Sequence, residues 1–216
     1  MTSIPAPGKP DQAARRLLLM AVAVIVAMTI LRIAWAHLIE LRTDEAYYWT
    51  WSKEHVLSYL DHPPMVAWFI RIGTAIFGDT NFGVRFAGIV AMLCMQLLLA
   101  DIVRRVTHDW RAVVFALLFP EAALYYGLLM AKVAPDTALI PCAVATIWSL
   151  VRLAESGDQR WWLAAGAFGG LSLLSKFTGI MLVPAVLAFM LVPDWRRSQL
   201  RSPYPWLAVV TALLIF

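Results

Sequence analysis

Three clusters of acids and bases stand at spacings that could do chemistry. Asp44-Glu45 is an adjacent carboxylate pair. Such a pair can take a proton from an attacking hydroxyl or hold a cation. Two acids at a helix N-terminus are also favoured simply by the helix dipole. Asp61-His62-Pro63-Pro64 joins an acid and an imidazole to two prolines suited to a first helical turn. Asp61 or His62 can cap that helix, and His62 can equally face a phosphate or a carboxylate. Lys132, Pro135-Asp136 and Lys176 add two ammonium groups and a further acid, and Asp136 can itself serve as an N-cap. Tyr48 sits in an aromatic run, residues 47–51, that offers rings to a sugar or forms an interfacial belt. Glu121 stands apart, following Pro120 near the middle of an apolar run. An ionisable group at such a depth is a functional candidate by default. It is also satisfied by protonation, or by a basic partner outside these 216 residues.

The elements that must position these groups are membrane helices. The chain is 61% hydrophobic and 15% charged, with a mean hydropathy of +0.71. Soluble domains carry about a quarter charged residues. Apolar runs approaching about 20 residues become helices in a bilayer, because each backbone polar group must be satisfied within its own segment. Six spans are expected, at about 17–39, 83–103, 112–130, 137–153, 161–174 and 179–192, with a seventh beginning near 206. The fifth and sixth form a tight hairpin, and residues 1–16 are an inner tail. Arg15-Arg16, the apolar stretch and Ala34-Trp35-Ala36 mimic a cleavable leader. The stretch to Ile39 is long enough to span, with Arg32 snorkelling to the headgroups, so a retained first helix is the reading adopted. Cys94 and Cys142 lie in apolar runs and read as small buried hydrophobes, not a disulfide.

Positive charge orients the spans. Arg15, Arg16, Arg104, Arg105, Arg111, Arg152, Arg196, Arg197 and Arg201 share the side of the N-terminus, and the opposite loops hold fewer basic residues. The positive-inside rule then puts residues 40–82 outside. The net charge of +4 is therefore a topology signal; the basic residues form no stripe for nucleic acid. The outer segment is dense in Tyr and Trp and is expected to hold two short interfacial helices, one over 44–53 and one opened by Pro63-Pro64 and closed by Gly78-Asp79. Asp44, His62, Lys132, Asp136 and Lys176 all fall on this outer face.

The ordered strings Thr43-Asp44-Glu45-Ala46-Tyr47-Tyr48-Trp49, Tyr59-Leu60-Asp61-His62-Pro63-Pro64, Phe77-Gly78-Asp79 and Phe82-Gly83-Val84-Arg85 closely resemble the bacterial dolichyl-phosphate-mannose protein mannosyltransferase-like family. That group includes the aminoarabinose transferases that modify lipid A. Ala134-Pro135-Asp136-Thr137 resembles its second motif, and Leu174-Ser175-Lys176-Phe177 its hairpin turn. The resemblance implies an all-α polytopic GT-C fold in the bacterial inner membrane. It implies inverting transfer of a sugar from a polyprenyl phosphate to an acceptor hydroxyl on the periplasmic side. Asp44 matches the catalytic base and Glu45 its neighbour. His62, Asp136, Lys132, Arg85, Lys176 and Tyr48 are the residues expected around the substrates. His62 stands where some relatives carry lysine, and Glu121 where an apolar residue is expected. Family members are about twice as long or more, so the chain reads as part of a longer enzyme, with isolated activity not expected. The acceptor can be a lipid, a polysaccharide or a protein. No cofactor is implied, and no ligand spacing demands a metal, although Asp44, Glu45 and Asp136 could hold a hard cation. The rival readings are a lipid or sugar transporter using Glu121 as a relay, and a non-catalytic membrane scaffold.

Overall fold

The computed structural model describes residues 9–54, 56–123, 131–191 and 196–216. Each long helix begins where a side chain satisfies its free N–H groups. Helix α1, Gln12–Leu38, starts at Asp11, whose Oδ1 accepts the Ala14 N–H at 2.7 Å. Two short helices follow, α2 (Thr43–Trp51) and α3 (Met65–Phe77). The prolines stand just before α3, with Pro64 at the cap position, and neither Asp61 nor His62 caps it. Gly78 closes α3 at φ 72°, a left-handed value that favours glycine.

Helix α4, Asn81–Thr107, starts on Thr80, whose hydroxyl accepts the Gly83 N–H at 2.9 Å. Asp109 caps α5 (Trp110–Ala122) through the Arg111 N–H. Helix α6, Pro135–Ser156, carries proline at its first position and ends on Gly157 at φ 69°. Its opening N–H, on Ala134, donates to Thr137 Oγ1 at 3.0 Å, so Thr137 rather than Asp136 does the capping. Then come α7 (Trp161–Ser175), a 3₁₀ turn (Phe177–Met181), α8 (Leu182–Met190), α9 (Arg196–Arg201) and α10 (Tyr204–Ile215).

Helix α4 is the central post, touching α1, α3, α5 and α6. Its 27 residues span about 40 Å. Three described helices, α1, α4 and α6, are long and apolar enough to cross a membrane. That is fewer than the six spans expected. Helix α5 has 13 residues, and the rest of the expected third span, 124–130, lies outside the described residues, as does the end of the sixth at 192. Helix α1 begins at Gln12, inside the stretch assigned to the inner tail; residues 1–8 of that tail lie outside the described residues.

Two further expectations are corrected by packing, and the expected hairpin gains a third helix. Helix α7 packs along α6 and α10. The 3₁₀ turn and α8 fold back beside α7, with the Trp162 and Phe189 rings 6.0 Å apart and Met190 in the same apolar cluster. Against α10 the backbones themselves come close. A Cβ on Gly166 would lie 2.3 Å from the Ala208 carbonyl oxygen, and one on Gly170 2.7 Å from that of Ala212. A Gly-x-x-x-Gly face thus meets an Ala-x-x-x-Ala face, the small-residue contact by which membrane helices approach. Arg32 does not snorkel; it is 5% exposed and pairs with Glu121. Cys94 faces outward rather than into the core, and both cysteines are free.

Candidate active site

The outer end of the bundle is built on a small core of Trp51, Val66, Ala67, Ile70, Val84 and Val133, drawn from α2, α3, α4 and the approach to α6. Burying these groups fixes α2 over the start of α4. The ring of Tyr59 stacks on Trp51 with centroids 4.5 Å apart. Its hydroxyl donates to the Trp51 carbonyl at 2.6 Å, and Arg71 donates to the carbonyls of Ser52 and Glu54, so the C-terminal end of α2 is tied down.

The N-terminal end of α2 is held by charge. Glu45 and Arg85 are fully buried side chains in a two-point pair, Nε to Oε1 at 2.8 Å and Nη2 to Oε2 at 2.7 Å. The Glu45 carboxylate also accepts the N–H groups of Arg42 at 3.0 Å and Val133 at 3.1 Å. Burial raises its pKa. The hydrogen bonds from Arg85, Arg42 and Val133 outweigh that and hold the carboxyl below its ordinary value. Arg85 donates as well to the carbonyls of Ala36, Ile39 and Glu40, and stacks over Trp35 at 4.5 Å. Those carbonyls close α1, so one guanidinium joins the end of α1, the start of α2 and the start of α4. The sequence places Glu45 beside Asp44 in catalysis and Arg85 against substrate; the geometry turns both inward, onto each other and the backbone.

Asp44 is exposed beside this buried pair. It lines an open polar pocket of about 370 Å³ with Arg42, Thr43, Glu45 and Lys132. Among the described residues Lys132 makes no ion pair, so its ammonium is available to an anion in the pocket. Asp136 and Lys176 meet each other, with Nζ 3.0 and 3.1 Å from the two carboxylate oxygens. Tyr48 is half-buried; burial raises its pKa first, and the negative charges of Asp44 and Asp136 add to the shift. The ring of His62 stands edge-on to Tyr48 at 6.2 Å, with a buried Nδ1 that has no partner among the described residues. Asp61 accepts a hydrogen bond from Tyr47 at 2.9 Å. Every residue singled out on the outer face therefore gathers at one end, and Arg42 joins them unanticipated. Among the described residues no group of three or more His, Cys, Asp or Glu is placed to hold a metal ion.

Fold and site together define a multi-pass, all-α membrane bundle of the GT-C kind. A solved structure of ArnT from Cupriavidus metallidurans in the apo state superposes with a TM-score of 0.72 at 24% identity, over 94% of this chain and 41% of that one. Residues 61–216 match the family described as dolichyl-phosphate-mannose-protein mannosyltransferase, and the chain belongs to that family. It is 30% identical over 174 residues to an undecaprenyl phosphate-alpha-4-amino-4-deoxy-L-arabinose arabinosyl transferase of Pseudomonas aeruginosa, covering 76% of this chain and 31% of the relative. It is 27% identical over 159 residues to the lipid A galacturonosyltransferase RgtD of Rhizobium johnstonii, covering 71% of this chain and 33% of the relative. The chain thus spans about a third of the length of these relatives.

Proposed function

We propose that this chain carries the catalytic base of a glycosyltransferase that moves a sugar from a polyprenyl phosphate to an acceptor hydroxyl. The observation that carries the reading is the pocket lined by exposed Asp44 and by Lys132, which makes no ion pair among the described residues. The acceptor oxygen attacks the anomeric carbon as the bond from that carbon to the phosphate oxygen breaks. Asp44 takes the acceptor proton, and the lipid phosphate leaves carrying its negative charge towards Lys132. Attack opposite the leaving phosphate inverts the anomeric centre. Glu45 and Arg85 act as positioning residues that fix α2 and, through the Val133 N–H, the residue next to Lys132.

The donor class is supported by the family and by the names of the relatives; amino-arabinose and galacturonic acid are the sugars those names print. The site faces the periplasm on the positive-inside reading, with the N-terminus in the cytoplasm. A relay at Glu121 is disfavoured, because that carboxylate is held by Arg32 and Gln96. The deciding experiment is Asp44→Asn in the full-length protein. Transfer of labelled sugar from a polyprenyl-phosphate donor should fall by about 10²–10⁴-fold, with membrane insertion unchanged. Wild-type transfer by that variant refutes the assignment.

A further inference from the structure

Helix α1 has little to hold it by packing. Of the residues in its most apolar stretch only 11% are buried, and Leu19, Met20, Val22, Ile30 and Leu31 face outward. Its apolar seam against α4 and α5 centres on Ala21 with Ala100, Val113 and Leu117, with Leu18 and Ile25 partly buried beside it. In lipid such a seam gains no hydrophobic drive, since the acyl chains are as apolar as the seam. Further along α1 stands Arg32, 5% exposed. Its Nη2 pairs with Glu121 Oε2 of α5, and its Nη1 lies 3.2 Å from Oε1. Gln96 of α4 donates through Nε2 to Glu121 Oε1 at 2.9 Å and to the Leu117 carbonyl at 3.2 Å. The two charged side chains are 6% and 7% exposed.

We infer that Arg32, Gln96 and Glu121 form a charge-neutral clamp that docks α1 onto α4 and α5, and that docking and neutralisation are one event. An undocked α1 must carry its guanidinium out to the headgroups, and an undocked α5 must protonate its carboxyl; docking removes both costs. Cation and anion therefore select each other as helix partners. Arg32 lies four residues before Ala36, whose carbonyl Arg85 grips, so the clamp sits about 6 Å along the helix from the outer site and steadies the end of α1 that this site uses.

The inference stands independently of any catalytic reading, and its test measures no turnover. The full chain is inserted in membranes, extracted in mild detergent and melted as wild type, Arg32→Met, Glu121→Leu and the double variant. Each single variant strands one charge, and its melting midpoint should drop by about 10 °C. The double variant replaces the pair with apolar side chains and should melt within about 3 °C of wild type. A charge exchange, Arg32→Glu with Glu121→Arg, should melt above both single variants. Where the single variants do not accumulate, recovery of the double variant is the supporting result. A double variant no better than the worse single one, or a single variant that melts like wild type, overturns the clamp.

Discussion

Arg85 reaches Glu45 through two separate nitrogens while three of its contacts go to carbonyls at the end of α1. Removing one member of such a buried pair costs about 3–5 kcal/mol, because the other charge is left stranded. Glu45→Gln and Arg85→Leu should each destabilise the protein by that order in detergent unfolding. The pair also carries a pH signature. Glu45 titrates below its ordinary value of 4.5 in the folded protein. Its contribution is therefore complete above about pH 4.5 and is lost as the pH falls through the lowered folded value. Unfolding midpoints measured downward from pH 6 should show a fall that Glu45→Gln lacks.

Lys132 separates charge from structure. Lys132→Ala should lower sugar transfer by the full-length protein by about 10²–10³-fold. Lys132→Arg keeps a cation in the pocket and should recover most of the loss. Melting of both variants should match wild type, since Lys132 makes no ion pair among the described residues; a large drop in melting would make it a structural residue.

Gly166 faces the backbone of α10 at a separation that admits no side chain. Gly166→Val should push α7 from α10 and cost about 1–3 kcal/mol. Gly169, whose Cβ would meet nothing within 4 Å, is the control, and Gly169→Ala should be nearly silent in the same melt.

Orientation is checked by chemistry at Ser58, which is exposed in the segment between α2 and α3. A cysteine there, in a background lacking Cys94 and Cys142, should react with a membrane-impermeant thiol reagent added from the periplasmic side. Labelling only from the cytoplasmic side would reverse the proposed topology.

Much of this arrangement is legible in the sequence, because it is written in local spacing. Thr80, Asp109, Pro135 and Gly157 mark helix ends by rules that need no partner. The gathering of Asp44, Lys132, Asp136 and Lys176 at one end follows from the alternation of spans. The inward turn of Glu45 had a local sign: it stands three residues after the cap position of α2, where a glutamate folds back onto the cap N–H. Arg32 and Glu121 are different. They are 89 residues apart, and each taken alone has a sufficient account, one as a snorkelling cation and one as a relay. Only tertiary packing joins them. The approach of α10 to α7 has the same cause, since it rests on backbone clearance at Gly166 and Gly170 that adjacency in sequence does not announce.

At the other end of α4, Asp101 accepts Arg104, Arg105 and the Trp148 indole N–H, Glu155 takes Arg105, and Arg152 lies over Trp161. On the proposed orientation this end lies in the cytoplasm. The pairs of Asp101 with Arg104 and Arg105 are local, three and four residues apart on one helix, so they form with α4 itself. The bonds from Arg105 to Glu155 and from Trp148 to Asp101 then join α4 to α6 once the two helices meet. A cation that helps to hold the α4–α5 link inside thus also latches two spans together, while Arg15, Arg16 and Arg111 stay exposed and keep the inner surface basic.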